Sequence, residues 1–288
     1  MNRLFCTLLI VLLTAACGTD SSEVDAFDDT ADRAERGGPA RDFDAAFAAY
    51  RAGNSAVAYE GFSRFAAEGH AEAAYWLGHM YLRGSGAERG GAPQDDEAAY
   101  RAWRQAAEAG MARAQDWLAF AYRHGRGVEE DRAAAARWYL AAAEQGHASA
   151  MQSLGSHFAF GWGVDRDIAE AYRWYRASAE AGDGRGAHYL GRMYQYGDVP
   201  DAENPDEQAV HWFRVSGEAG FSGGSRSLGD AYRQGRGVPQ DRVQAMRWYL
   251  VAESQGGGAL QRRIAELNEE MTRAERRRVE AERDSWLD

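Results

Sequence analysis

A recurring Leu-Gly pair sets the narrowest limit on what this chain can fold into. Leu77-Gly78, Leu118-Ala119, Leu154-Gly155, Leu190-Gly191 and Leu228-Gly229 begin 41, 36, 36 and 38 residues apart, a period of 36 with two insertions. Self-similarity at such a period marks a repeat architecture, in which each unit buries its apolar face only against its neighbours. Every copy keeps one order: a small-residue start, Leu-Gly, an aromatic three later, Gly-x-Gly-Val, an acidic residue, Ala, Trp-Tyr and a small-Gly ending. The clearest copy runs from Ala112 to His147.

Both halves of a copy have helical spacing. Ala114, Leu118 and Tyr122 lie four apart, and Ala135, Trp138 and Ala142 follow a three-then-four step, so each half offers one apolar stripe. Gly125-x-Gly127 ends the first helix and turns the chain. Asp131 then falls where an N-cap is needed, and Asp167 with Glu170, Asp241 with Gln244, and Thr272 with Glu275 have capping-box spacing. In copy four Asn204 and Glu207 supply the cap, with Pro205 at the first helical position. The unit is therefore an αα-hairpin. The Gly after Leu makes room for a Trp of the same or an adjacent hairpin.

The arrangement Ala-x-x-x-Leu-Gly-x-x-Tyr-x-x-Gly-x-Gly-Val-x-x-Asp-x-x-x-Ala-x-x-Trp-Tyr-x-x-Ala-Ala-x-x-Gly resembles the Sel-one-like repeat family, relatives of the tetratricopeptide repeats. Five copies cover residues 71–257. Copy one departs, with Ala102-Trp103 in place of Trp-Tyr and a longer turn, and copy four carries Trp212-Phe213 and an extended turn. The resemblance implies an all-α fold, a right-handed α-solenoid of stacked helix-turn-helix repeats. Residues 42–70 read as a degenerate N-terminal hairpin and residues 258–288 as polar C-terminal capping helices.

The first sixteen residues stand outside that fold. Arg3 is a short positive region, Leu4 to Leu13 is an apolar run too short to span a bilayer, and Thr14-Ala15-Ala16-Cys17 places small residues before a Cys. This resembles a bacterial lipoprotein signal, although Leu stands one position early; the alternative is a plain secretory signal cut near Ala16. The resemblance implies that residues 1–16 are removed and that Cys17 carries the lipid. Cys6 leaves with the signal, so no internal disulfide can form. Gly18 after the Cys, under the sorting rule of that lipoprotein family, implies the outer membrane facing the periplasm. Residues 17–41 carry seven acids against Arg33, Arg36 and Arg41 and little apolar surface, which predicts a flexible acidic tether.

Charge and composition exclude several chemistries. The formal net charge is -11 and no Lys occurs among the 33 basic residues, so a nucleic-acid surface is disfavoured and a Walker-type phosphate loop lacks its Lys. Gly220-Phe221-Ser222-Gly223-Gly224 matches G-x-S-x-G, but the nucleophile elbow needs a strand before the Ser and here two helices flank it. The seven His form no helical His-x-x-x-His pair, and Asp198, Asp201, Glu203 and Asp206 lack calcium-loop spacing; no metal and no cofactor are expected. His70 and His147 read as helix-ending cations that complement the dipole. Trp138, Trp174, Trp212 and Trp248 keep the repeat period, so they read as inter-helix core rather than a carbohydrate platform.

The residues that the repeat leaves free are the informative ones. In the related tetratricopeptide architecture the first helix of each hairpin lines the concave face, at positions two and five before the Leu and two, five and six after it. Carried over, this implies a partner-binding groove including Tyr75, His79, Arg83, Arg113, Phe120, Arg123, Phe160, Arg185, His188, Arg192, Tyr196, Arg226 and Arg233. Across all these positions seven Arg face three acids, Glu72, Asp116 and Asp230. The expected partner is a protein or peptide with acidic or carboxylate groups, since Arg supplies bidentate hydrogen bonds. The expected function is an envelope-anchored protein–protein interaction scaffold with no enzymatic activity. Two alternatives stand beside it: a structural lipoprotein of a polysaccharide or peptidoglycan assembly, and a β-lactam-interacting enzyme, which the lack of Lys and of paired Cys disfavours.

Overall fold

The computed structural model describes residues 42–258 and 260–286. The signal, Cys17 and the acidic tether lie outside the described residues. The chain divides after Ala106 into two compact units. The described residues form fourteen α-helices and no strand, the all-α fold of stacked helical hairpins that the repeat predicts. None of these helices is long and apolar enough to cross a membrane.

In the first unit α1 (Phe43–Arg51) and α2 (Ser55–Ala67) form the N-terminal hairpin, and α3 (Ala71–Arg83) precedes α4 (Asp96–Glu108). The lengthened turn of copy one holds a short 3-10 turn, Ala87–Arg89, and an isolated bridge between Gly86 and Ala92. Phe62, Met80 and Trp103 are fully buried. Asp42 starts α1 by accepting from the Ala45 N–H at 2.8 Å.

The second unit holds α5 (Ala112–His124), α6 (Arg132–Glu144), α7 (Ala148–Phe160), α8 (Ile168–Glu180), α9 (Gly184–Tyr196), α10 (Pro205–Glu218), α11 (Ser222–Gln234) and α12 (Arg242–Ser254). The terminal α13 (Gln261–Glu270) and α14 (Arg273–Glu282) follow. Asp131 accepts from the Ala134 N–H at 2.8 Å and Asp167 from Glu170 at 3.0 Å, satisfying N–H groups that an opening helix turn leaves orphaned. Only Thr272 and Glu275 close the reciprocal capping box; the Glu170 side chain turns instead to Arg173. Asn204 occupies the N-cap of α10, yet its backbone is left-handed (φ 48°) and its side chain caps nothing, so the expected cap there fails.

Two further expectations are corrected. The residue lying under the Gly of each Leu-Gly pair is the second aromatic, not the first: a Cβ on Gly155, Gly191 or Gly229 would stand 2.6–2.7 Å from the ring of Tyr175, Phe213 or Tyr249. The first aromatic packs less deeply in three copies, where Trp138, Trp174 and Trp212 are half-buried against the core clusters, while Trp248 is buried at 6% exposure. His70 and His147 do not end helices; they are the N-cap residues of α3 and α7. The Ala73 N–H donates to His70 Nδ1 at 3.2 Å, a role for a bare ring nitrogen rather than a cation.

Successive hairpins meet through matched small residues. Ala142 and Ala150 share one core cluster at the junction of copies two and three. At the next two junctions the second helix carries a larger Ser, and the following helix answers with Gly. Ser178 faces Gly186 and Ser216 faces Gly224, where an added Cβ would lie 2.3 and 2.1 Å from the Ser oxygen. The Ser hydroxyls are satisfied by the Ala148 and Gly184 carbonyls at 2.8 and 2.6 Å. The second Gly of Gly-x-Gly has a similar duty. Gly163, at φ 71°, presses its Cα toward the Arg132 backbone of the preceding hairpin, and no Cβ fits.

Candidate partner-binding face

The first helix of each hairpin carries the expected groove positions, and their exposure follows helix geometry. Six residues after the Leu, every copy is exposed: Arg83, His124, Phe160, Tyr196 and Gln234. Two residues before or after it, coverage is heavier, because those side chains lean over the turn towards the hairpin's second helix.

In the first unit Tyr75 and His79 are buried, at 8% and 6% exposure, and belong to the packing rather than to an open face. Their rings meet edge-on at 4.6 Å, and His79 meets Trp103 at 5.6 Å. Arg83 is exposed at the last turn of α3.

In the second unit His188 is also buried, 7% exposed, among Tyr189, Phe213 and Phe221. Burial pushes its imidazole down to about 4, and the charges of Arg192 and Arg226 push the same way. Phe120 is half-buried between Trp117 and His124. Arg113, Arg185 and Arg226 are exposed. Arg233 is committed elsewhere: it pairs with Glu270 at 2.5 Å and with Glu266 at 3.6 Å, both on α13. Asp230 beside it accepts from the Tyr249 hydroxyl at 2.6 Å and pairs with Arg263.

What remains open is a ladder of cations on aromatic rings. The Arg123 guanidinium lies 4.6 Å over the Trp162 ring, Trp162 stacks on Phe160 at 4.8 Å, and Arg192 lies 5.2 Å over Tyr196. Phe160 and Tyr196 are 57% and 65% exposed, two of the three large apolar side chains exposed among the described residues. Exposed aromatic surface beside cations, as at Phe160 with Trp162 and at Tyr196, is the kind of surface that interaction sites use. Polar side chains lie beside them: Gln152 donates to Ser156 at 2.9 Å, and Ser156 shares a 3.0 Å hydrogen bond with the Tyr175 hydroxyl. Burial pushes the Tyr175 phenol up to about 12, while Arg192 and Arg123 both pull it back, so both guanidiniums act on one hydroxyl.

A guanidinium seated over a ring can still offer N–H donors to a planar acceptor, and Arg123 also interacts with the Tyr139 hydroxyl. No carboxylate among the described residues pairs with Arg123 or Arg192, in contrast to Arg233. Trp162 is the member that the repeat pattern does not nominate. Its signal is an aromatic inside Gly161-x-Gly163, where copies two and five carry Arg126 and Arg236. Ser222, centre of the G-x-S-x-G match, is the first residue of α11, preceded by its N-cap Phe221. Among the described residues no group of three or more His, Cys, Asp or Glu could hold a metal ion.

The family model for the Sel1 repeat matches residues 71–111, 112–147, 148–183, 184–221 and 226–257. The chain is similar to a Sel1 repeat protein from Oxalobacter formigenes, with 28% identity over 75% of this chain and 86% of that one and a TM-score of 0.64. It is also similar to c5321, a protective antigen present in uropathogenic Escherichia coli strains displaying an SLR fold. There the identity is 32% over 83% of this chain and 50% of that one, with a TM-score of 0.66, so the chain spans half the length of that antigen. No curated protein matches the chain.

Proposed function

From the premise that this chain belongs to the Sel1 repeat family, a fold of protein–protein interaction scaffolds, we propose that its second unit captures a partner's acidic segment on the Arg123–Arg192 face. The observation that carries this reading is the pair of ring-seated guanidiniums without a carboxylate. Each can donate two parallel hydrogen bonds to an incoming Asp or Glu, while Phe160, Trp162 and Tyr196 supply apolar area for whatever side chains lie between the acids. Rigid helices hold the donors in place before the partner arrives, which lowers the ordering cost of binding.

We further propose that the scaffold is tethered to the bacterial envelope through a lipid on Cys17, in the outer membrane facing the periplasm. This rests on the sequence pattern before Cys17 and on Gly18 after it. No catalytic step is assigned.

The test is partner capture from envelope extracts by the immobilised chain. Arg123→Glu with Arg192→Glu should weaken capture at least about tenfold per bidentate pair lost. The same charge change at Arg137 and Arg173, on second helices, should leave it intact. Equal capture by both variants would refute the reading.

A further inference from the structure

We propose that His188, Arg192 and Arg226 form a carboxylate subsite in copy four, where His188 takes up a proton as the partner's acid seats. This rests on the reading of the Arg123–Arg192 face given above and adds two residues and a pH response to it. His188, Arg192 and Tyr196 are four residues apart, so they share one face of α9. On the neighbouring α11, Arg226 holds two residues before Leu228 the place that His188 holds before Leu190. Arg192 and Arg226 are exposed and His188 is buried, so the imidazole lies deeper than the two cations that act on it.

Copy four lacks the hydroxyl that completes this position elsewhere. In copy three the residue two after the Leu is Ser156, which shares its 3.0 Å hydrogen bond with the Tyr175 phenol. In copy five Asp230 holds that place and accepts from the Tyr249 phenol at 2.6 Å. In copy four the residue is Arg192, and the ring under the Leu-Gly pair is Phe213, which has no hydroxyl to offer. His188 meets that ring at 5.7 Å, and its Nδ1 is buried without a hydrogen-bond partner among the described residues. Two guanidiniums and an incompletely satisfied imidazole are thus left where copies three and five close the site internally. A carboxylate supplies the missing acceptors.

The groups around His188 fix the direction of its response. Arg192 comes from its own helix and Arg226 from α11, while Tyr189 of α9, Phe213 of α10 and Phe221 ahead of α11 are uncharged rings. No carboxylate among the described residues acts on the imidazole. Burial and the two guanidiniums hold it down at about 4, so it is neutral in the free protein. A bound carboxylate counters those charges and favours the imidazolium. If it restores the ordinary 6.5, linkage makes binding about tenfold tighter at about pH 5.5 than at about pH 7.5, with about one proton taken from solvent.

The experiment titrates fluorescein-labelled hexaglutamate into the full chain at both pH values, followed by anisotropy. Calorimetry in two buffers of different ionisation enthalpy counts the protons taken up, and far-UV circular dichroism checks the fold of each variant at each pH. The expected result is about tenfold tighter binding at the lower pH with uptake of about one proton. Both responses should vanish in His188→Gln, and Arg226→Gln should bind about tenfold more weakly at both pH values. The peptide's own carboxylates push the other way, since acid neutralises them. The proton count is read on the parent itself, so a His188→Gln chain that fails to fold leaves the test intact. Affinity that stays flat or falls as pH drops, in binding that still depends on Arg123 and Arg192, would overturn the subsite and leave the function standing. A His188→Gln chain that keeps the pH response, or an Arg226→Gln chain with parental affinity, would also overturn it. So would a failure of hexaglutamate to bind. In that case partner capture that still depends on Arg123 and Arg192 would keep the function, and capture indifferent to them would end both readings.

Discussion

Gly186→Ala tests the junction between hairpins most sharply. The new Cβ would stand 2.3 Å from Ser178 Oγ, 2.6 Å from Ser178 Cβ and 3.1 Å from the Ala179 nitrogen, against a Ser that is fully buried. Overpacking at such distances costs about 3 kcal/mol. Ala is favoured over Gly inside a helix by about 1 kcal/mol, leaving a net loss of about 2 kcal/mol. Ser178→Ala alone forfeits its 2.8 Å hydrogen bond to the Ala148 carbonyl, about 1 kcal/mol. Together the two changes rebuild the Ala–Ala contact that Ala142 and Ala150 already make one junction earlier. The Oγ clash disappears and only the 2.6 Å Cβ approach must relax. The double variant should therefore lose only about 1 to 2 kcal/mol, a coupling of about 1 to 2 kcal/mol between the sites. Urea unfolding followed by far-UV circular dichroism measures all four corners of the cycle. Additive losses, or a Gly186→Ala variant as stable as the parent, would refute the account of how the hairpins stack.

Burial pushes both His157 and His188 down to about 4 from an ordinary value of 6.5. Their neutral forms are favoured in the folded state, so the stability they allow is complete above pH 6.5 and is lost as pH falls towards 4. Between pH 7 and pH 5 each should cost about 2 kcal/mol, and a urea series over that range on His188→Phe should recover about half of the combined loss. Asp131→Ala removes the acceptor for the Ala134 N–H at the start of α6 and should destabilise by about 1 kcal/mol in the same assay. Leu154→Ala, at a site 2% exposed beneath copies two and three, should cost about 2 to 5 kcal/mol. Cys17→Ala should move the protein from membrane pellets to the soluble fraction, and retention in the pellet would contradict the lipid anchor.

The fold was legible because its rules are local and repeated. A 36-residue period, an Asp at the second-helix start of every copy but the fourth and Gly at each first-helix end give hairpins without any long-range information, and Asp131, Asp167 and Asp241 cap as their spacing requires. The reading failed where one residue had two possible neighbours. The ring beneath Gly155 could come from Trp174 or Tyr175, and only the hairpin crossing decides for Tyr175. On the candidate face, helix position alone could not separate Arg123 from Arg233. The difference is a terminal helix, from residues far along the chain, that puts Glu270 on one and nothing equivalent on the other. Tyr75, His79 and His188 share positions with exposed residues of other copies, and their burial follows from the aromatic neighbours that those hairpins happen to carry. Trp162 escaped because it lies in a turn, outside the helical positions by which the face was drawn.

The central claim is that partners dock where Arg123 and Arg192 sit on exposed rings. A photo-crosslinking residue at Phe160 in living cells tests it directly, with the same residue at Leu140, exposed on a second helix, as the control. The account predicts a protein adduct at position 160, none at 140, and loss of the adduct when Arg123 and Arg192 are both changed to Glu. Equal adducts at both positions, or an adduct at 160 that survives the charge reversal, would contradict it.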